Sequence, residues 1–147
     1  MKGFTEVKNG KVEFKKGRPL LLLTSTSYTP DEDIGLLVNA LERYAEQASK
    51  MSRLPNIHLI VTGAGPQKAM FLKRFASFNE NEGKGKDRIE AKWLEFEDYP
   101  KMVAAADLGI CMHMSSSNQD LPMKVVDMFS CKVPCFAYNY PTIGELV

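Results

Sequence analysis

Apolar and polar positions follow two patterns in turn along this chain. Leu20 to Thr24 and Ile57 to Val61 are short, mainly apolar runs, which are typical of strands that are covered on both faces. Between them, from Ile34 to Ala48, apolar residues return every three or four positions, the spacing of one face of a helix. The pattern therefore predicts a strand, a long helix and a second strand.

The same alternation continues to the end of the chain. It predicts a helix through Met70 to Phe78, a strand from Ile89 to Trp93, a helix from Tyr99 to Ala106, a strand from Leu108 to Met114, a helix from Pro122 to Cys131 and a strand from Val133 to Tyr138. Repeated strand–helix units indicate an α/β, Rossmann-like fold with a parallel sheet. We expect residues 1–18, which are rich in lysine and carry three glycines, to be a tail or linker, and residues 19–147 to form the domain.

Two sequence signals predict where helices begin. Thr29, Pro30 and Glu32 match a capping box, in which Thr29 caps the helix, Pro30 takes the first helical position and Glu32 reaches back to the cap N–H. Pro122 is expected at the first position of a later helix, because its fixed φ suits that position.

Composition narrows the class of protein. The 147 residues are 44% hydrophobic and 25% charged, which is ordinary for one globular domain with a core. A formal charge of +1 gives no reason to expect a nucleic-acid partner or an anionic membrane surface. No segment approaches the roughly 18 apolar residues that span a bilayer. We expect the three cysteines to be reduced and buried rather than to bind a metal.

The segment 115–129 carries the strongest chemical signal. It lies between a predicted strand and a predicted helix, and in open α/β sheets ligands bind at that edge. A helix N-terminus also offers free N–H groups and positive potential, which suit phosphate. Its candidate binding residues are Ser115, Ser116, Ser117, Asp120, Lys124 and Asp127. The segment predicts a nucleotide-sugar pocket.

Single residues around this segment allow more than one interpretation. Asp120 and Asp127 could each accept two hydrogen bonds from adjacent hydroxyls of a ribose or a hexose. Lys124 lies three residues before Asp127, so an exposed ion pair on one helix face is the alternative. His113 is either a structural residue or a donor to a bound phosphate or sugar.

A glycine pair follows the second predicted strand. Gly63-Ala64-Gly65 resembles part of a dinucleotide-binding fingerprint, but Lys68 stands where the third glycine should fall. We expect a tight strand-to-helix turn here, with Lys68 placed to reach a phosphate. The sequence has no G-x-S-x-G motif and no Cys–His pair at a suitable spacing, which disfavours an acyl-transfer enzyme.

Five segments, in order along the chain, resemble a known family. They are Thr24 to Asp33, Thr62 to Pro66, Trp93 to Pro100, Ala106 to His113 and Asp120 to Phe129. Together they are similar to the C-terminal half of the β-mannosyltransferases of the dolichol-linked oligosaccharide pathway, a family of GT-B glycosyltransferases. The resemblance extends from about Phe4 to Val147.

The resemblance implies an inverting hexosyltransferase. Its donor would be GDP-mannose and its acceptor dolichyl-diphospho-chitobiose, a lipid-linked oligosaccharide, at the cytosolic face of the endoplasmic reticulum membrane. The transfer would form a β-1,4 mannosidic bond, and neither a cofactor nor a metal ion is expected. A nucleic-acid partner is not expected either.

The resemblance also implies roles for individual residues. Asp127 occupies the place of the second acid of the E-x7-E signature, which binds ribose, and Asp120 lies near the first acid, one residue closer than the signature asks. Lys124 and the backbone of Leu121 to Met123 would meet the diphosphate or the hexose. The remaining positions of the implied donor site are Ser25, Thr26 and Ser27 for the phosphates, Leu94 near the base, and Gly63, Gly65, Lys68, His113, Ser115, Ser116 and Ser117.

The catalytic base is not identified by the resemblance. In GT-B enzymes it comes from the N-terminal domain, so we expect this chain to be an incomplete GT-B half that is inactive alone. It could associate with an N-terminal half or with other glycosyltransferases. The alternatives are a non-catalytic nucleotide-sugar-binding or interaction module, and another GT-B transferase with a different donor.

Overall fold

The computed structural model describes residues 4–81, 86–114, 117 and 119–146. A two-stranded antiparallel hairpin comes first, β1 (Thr5–Lys8) and β2 (Lys11–Phe14). Five parallel strands then form one sheet: β3 (Leu20–Ser25), β4 (Ile57–Thr62), β5 (Arg88–Lys92), β6 (Leu108–Cys111) and β7 (Cys135–Ala137). The order across this sheet is β5-β4-β3-β6-β7. The predicted Rossmann-like α/β fold is confirmed.

Helices cover both faces of the sheet. They are α1 (Ile34–Lys50), α2 (Lys68–Glu80), α3 (Tyr99–Ala105) and α4 (Met123–Ser130), with a short 3₁₀ helix at Pro141–Glu145. Leu22 packs in a core with residues of α1 and α2, whereas Leu21 and Leu23 pack in a second core with residues of α3 and α4. Because successive strand residues face opposite sides, both sides need apolar residues, which explains the continuous apolar run in β3.

Helix α1 bears out its predicted apolar face but not its predicted start. Its buried residues are Ile34, Leu37, Val38, Leu41 and Ala45, at the predicted spacing. The capping box is wrong, because α1 begins at Ile34 and Asp33 is the N-cap, accepting a hydrogen bond from the backbone N of Leu36 at 2.8 Å. Glu32 does not reach back to Thr29 because its carboxylate has other, buried partners.

Helix α4 also begins one residue later than predicted. Pro122 has an extended conformation, with φ −73° and ψ 114°, and it precedes the first helical residue, Met123. The prediction that Pro122 takes the first helical position is therefore wrong. Its backbone turns the chain into the helix instead, and its carbonyl accepts a hydrogen bond from the backbone N of Val125 at 3.0 Å.

The segment for which we predicted a tail or linker contains the β1–β2 hairpin. Asn9 and Gly10 connect its strands with φ values of 51° and 75°, as a tight two-residue turn requires. The hairpin is tied to the domain, because Phe4 is buried against the ring of His58 with the ring centroids 5.4 Å apart. Arg18 adds two hydrogen bonds to the carboxylate of Asp107, at 2.6 and 2.5 Å.

The strand order determines where a ligand can bind. The chain passes from β3 to α1 on one face of the sheet, and from β6 to α4 on the other. At such a switch point, a crevice opens beyond the carboxyl ends of the two neighbouring strands. Among the helices built from the described residues, none combines the length and hydrophobicity that crossing a membrane requires.

Candidate nucleotide-sugar site

Two adjoining cavities lie at the carboxyl ends of the sheet strands. The larger, of about 580 Å³, is lined by the loops after β3, β4 and β5 together with Tyr99 and Lys124. The smaller, of about 230 Å³, lies between the β3–α1 loop and the start of α4. Ser27 and Lys124 line both cavities, so they mark the junction between them.

The fold brings many of the predicted site residues to these cavities. The larger is lined by Ser25, Thr26, Ser27, Gly63, Leu94 and Lys124, and the smaller by Ser27, His113, Asp120 and Lys124. Other predicted residues line neither cavity, namely Gly65, Lys68, Ser117, Leu121, Met123 and Asp127. Ser115 and Ser116 fall outside the described residues.

The two glycines after β4 allow two loops to approach closely. A Cβ at Gly63, whose φ is 128°, would lie 1.9 Å from the carbonyl oxygen of Thr26. A Cβ at Gly65 would lie 1.5 Å from the carbonyl oxygen of Ser27. Neither position can hold a side chain without moving the backbone that lines the cavities. The glycines therefore shape the site through loop packing.

Lys68, the first residue of α2, contacts the loop between β4 and α2. Its Nζ donates a hydrogen bond to the carbonyl of Gly63 at 2.8 Å and lies 5.8 Å from the ring centroid of Tyr28. The ammonium thus stabilises the turn after β4. In this conformation it is not directed into either cavity.

Glu32 is a central residue of the site that the sequence did not reveal. Only 3% of it is exposed. One carboxylate oxygen accepts hydrogen bonds from Thr26 Oγ1 at 2.5 Å and from the backbone N of Ser27 at 2.6 Å. The other oxygen pairs with the ammonium of Lys124. The signal that could have found it is the run of three acids, Asp31-Glu32-Asp33, in the loop after the first predicted strand.

Lys124 and Asp127 have separate partners. The alternative of an exposed Lys124–Asp127 pair is wrong, because Lys124 is largely buried and its ammonium faces Glu32. Burial lowers the pKa of Lys124, and the charge of Asp31 opposes that shift. Asp127 accepts a hydrogen bond from the hydroxyl of Tyr99 at 3.2 Å instead.

Tyr99 connects Asp127 to the first loop of the site. Its hydroxyl also lies 3.0 Å from Ser25 Oγ, so Ser25, Tyr99 and Asp127 form a polar chain from the end of β3 to α4. Burial raises the pKa of Tyr99, which keeps the phenol protonated as a donor. Tyr99 lies in the segment Trp93 to Pro100 that carries the family resemblance, but it was not among the predicted site residues.

His113 joins the two walls of the smaller cavity. Its Nε2 lies 2.5 Å from a carboxylate oxygen of Asp120, and its Nδ1 lies 3.3 Å from a carboxylate oxygen of Asp31. The backbone supports this link, since the N of Met114 donates to the carbonyl of Asp31 at 2.7 Å. Asp120 is held as well by Tyr140, whose hydroxyl donates to its carbonyl at 3.1 Å.

The outer wall of the larger cavity is aromatic. Trp93 and Phe96 are 61% and 88% exposed, although both are large apolar side chains. Exposed aromatic faces beside a polar cleft are suited to stacking on a planar base. The site as a whole therefore offers an aromatic wall, a buried cation at the junction, and carboxylates that can accept from sugar hydroxyls. Within the described part of the chain, no group of three or more His, Cys, Asp or Glu residues could hold a metal ion.

Among curated proteins, the chain is similar to glycosyltransferases. It is 44% identical over 146 residues to the chitobiosyldiphosphodolichol beta-mannosyltransferase of Mus musculus, covering 98% of this chain and 30% of that protein. The enzyme of that name from Candida albicans is 47% identical over 127 residues, covering 86% and 26%. The UDP-glycosyltransferase TURAN of Arabidopsis thaliana is 40% identical over 157 residues, covering 98% and 33%. No family model matches the chain.

Solved structures show the same fold. The Anabaena protein Alr3699/HepE in complex with UDP and glucose superposes with a TM-score of 0.64 at 19% identity, covering 88% of this chain and 32% of that one. The pneumococcal O-GlcNAc transferase GtfA in complex with UDP and GlcNAc gives 0.62 at 11% identity, covering 84% and 21%.

The chain spans about a third of the length of the curated relatives that it matches, or somewhat less. Its structural neighbours are GT-B glycosyltransferases, which agrees with the predicted fold class. The family resemblance carried by the five sequence segments is confirmed: over nearly its whole length, this chain is homologous to part of the chitobiosyldiphosphodolichol beta-mannosyltransferases.

Proposed function

We propose that this chain is the donor-binding part of a mannosyltransferase that adds β-1,4-mannose to dolichyl-diphospho-chitobiose. The observation that carries the proposal is the pair of cavities at the sheet switch point, within a chain 40–47% identical to enzymes named for that transfer. The donor is GDP-mannose, and the acceptor reaches the site at the cytosolic face of the endoplasmic reticulum membrane.

The two cavities suit the two ends of a nucleotide sugar. The base stacks on the aromatic wall at Trp93 and Phe96, beside Leu94, and the ribose hydroxyls reach Asp127 near Tyr99. The diphosphate lies at the junction, next to Lys124 and Ser27. The hexose enters the smaller cavity, where Asp120, which is held by His113, can accept hydrogen bonds from its hydroxyls.

The chemistry that this chain supplies is stabilisation of the leaving group. Negative charge grows on the diphosphate as its bond to the sugar breaks, and a fixed cation with nearby hydroxyls stabilises that charge. Lys124 provides the cation, and Ser27 provides a hydroxyl. We assign no general base to this chain, and in our proposal a further part of the enzyme supplies it, with no metal ion or cofactor.

The identity of the nucleotide is the part of the proposal for which there is a specific alternative. The name of the Arabidopsis relative contains UDP, and the solved structures with this fold contain UDP. The other relatives are named for mannosyl transfer. A UDP sugar is therefore the alternative donor against which GDP-mannose has to be tested.

Reconstitution tests the transfer itself. The chain is mixed with the separately produced remainder of the mouse relative, and transfer of labelled mannose from GDP-mannose to dolichyl-diphospho-chitobiose is measured. We expect product only when both parts are present. GDP-mannose binding without any transfer by the mixture would favour the second candidate, a non-catalytic nucleotide-sugar-binding module, and transfer only from a UDP sugar would favour a GT-B enzyme with another donor.

A further inference from the structure

Glu32 contacts both residues that the two cavities share. Its carboxylate accepts from the backbone N of Ser27 at 2.6 Å, lies 3.2 Å from Ser27 Oγ and pairs with the ammonium of Lys124. Ser27 and Lys124 are the residues that line both the larger and the smaller cavity. A buried carboxylate therefore sits directly behind the junction.

The contacts of Glu32 make its burial stable. A buried charge is costly unless it is paired and its remaining lone pairs are hydrogen-bonded. Lys124 supplies the pairing charge, and Thr26 and Ser27 supply the hydrogen bonds. The backbone of Glu32 is held too, by a β-bridge to His113. Glu32 thus links the β3–α1 loop to α4 across the switch point.

The surrounding charges explain why Lys124 needs this partner. Asp31 and Asp120 also line the smaller cavity, and both are more exposed than Glu32. Without Glu32, the ammonium of Lys124 would be drawn towards one of these carboxylates and away from the junction. The charge of Asp31 already acts on Lys124.

We propose that Glu32 is a positioning residue for diphosphate binding: it holds the ammonium of Lys124 and the loop at Ser27 where a nucleoside diphosphate crosses from one cavity to the other. The inference rests on the proposed function, and it concerns the diphosphate rather than the base or the sugar. Glu32 also lines the smaller cavity, and the role proposed here is its effect on the diphosphate through Lys124 and Ser27.

The test compares ligands that differ in phosphate. Binding of guanosine, GMP, GDP and inorganic pyrophosphate is measured by calorimetry, or by ligand-observed NMR where binding is weak, for the parent chain and Glu32→Gln. Glutamine keeps the size of the side chain and removes its charge. We expect Glu32→Gln to weaken GDP and pyrophosphate binding by about tenfold or more, since a buried charge pair is broken, and to leave guanosine binding unchanged. A merely structural role would weaken all four ligands alike.

A matched control and a second variant complete the design. Asp33→Asn removes the same charge from the neighbouring, exposed position and should leave every ligand unaffected, because asparagine also caps a helix. If Glu32→Gln does not fold, Glu32→Asp replaces it, because aspartate keeps the charge and is one methylene shorter. That variant should bind guanosine like the parent chain and GDP more weakly, since the shorter side chain cannot hold Lys124 and Ser27 in the same places.

The outcomes separate this inference from the proposed function. GDP binding by Glu32→Gln, or by Glu32→Asp, that is as tight as in the parent chain would overturn the inference and leave the proposed function standing. The same phosphate-dependent loss with UDP as the preferred nucleotide would overturn the proposed donor and support the inference. A parent chain that binds diphosphates no better than nucleosides would overturn both.

Discussion

Asp127 and Glu32 are both carboxylates near the cleft, and their contacts give them different tasks. Glu32 is almost fully buried and pairs with a cation, whereas Asp127 is partly buried and accepts from the neutral hydroxyl of Tyr99. A carboxylate that meets a neutral donor keeps lone pairs for a ligand. Asp127 is therefore the residue in which we expect ribose recognition to be most visible.

Replacement of Asp127 by alanine tests that assignment. We predict that Asp127→Ala weakens GDP binding by about 1.5–3 kcal/mol, because a charge-assisted hydrogen bond to the ribose is lost. The variant should not weaken binding of 2′,3′-dideoxy-GDP further, since that analogue lacks the hydroxyls. Circular dichroism and thermal melting should stay near the parent values. Unchanged affinity for GDP would remove Asp127 from the site.

Individual residue roles were only partly accessible from sequence. Lys124 and Asp127 could be selected from their spacing and their position after a strand. Their partners could not be predicted, because those partners lie on loops and helices distant in sequence. Glu32 was hidden because Thr29-x-x-Glu32 matches a capping box, a local explanation that tertiary contacts overrode. Tyr99 was missed because its role depends on Ser25 and Asp127, which lie far from it in sequence.

The loops after β3 and β4 act as one unit at the scale of elements. They are joined by the hydrogen bond from the backbone N of Thr26 to the carbonyl of Thr62, at 2.9 Å, and by the close approach at Gly63 and Gly65. The G-x-G pattern could be recognised in the sequence. The need for glycine at Gly65 could not be predicted, because only the folded sheet brings the Ser27 carbonyl against it.

Gly65→Ala tests whether this contact shapes the site. Its Cβ would overlap the carbonyl oxygen of Ser27, so we predict a loss of about 1–3 kcal/mol in the free energy of unfolding, together with weaker GDP binding. Gly144→Ala is the control, since a Cβ there meets nothing within 4 Å. Equal unfolding free energies for the two variants in urea would contradict the close approach.

The link from the hairpin segment to the sheet gives a pH-dependent prediction. The hydrogen bonds from Arg18 lower the pKa of Asp107, whose carboxylate also accepts from the backbone N of Leu21. Because the pKa is lower in the folded than in the unfolded chain, this stabilisation is present above the ordinary value of 3.8 and is lost as the pH falls through the folded value.

Asp107→Asn should therefore destabilise the chain in a pH-dependent way. We predict a loss of about 1–3 kcal/mol in the free energy of unfolding at neutral pH, and a smaller difference from the parent chain in acid at about pH 3. Urea unfolding at both pH values measures it. Asp98→Asn, which removes an exposed pair with Lys101, should cost less than about 0.5 kcal/mol. A difference that does not shrink in acid would contradict the assignment.

At the scale of the whole molecule, sequence periodicity was enough to predict a parallel α/β sheet. The strand order was not predictable from it, because periodicity tells which residues are buried but not which strands are neighbours. The switch point between β3 and β6, and with it the junction of the two cavities, follows from that order. The hairpin was also missed, although Asn9-Gly10 is a recognised turn signal, because its strands are short and lysine-rich.

The proposed function requires that the switch-point cleft bind a nucleotide sugar and prefer guanine. Calorimetric titration of the chain with GDP, GDP-mannose, UDP and UDP-glucose measures this preference. We predict that GDP and GDP-mannose bind at least about tenfold more tightly than the uridine ligands, a difference of about 1.4 kcal/mol in binding free energy. Tighter binding of UDP, or no binding of any of the four ligands, would contradict it.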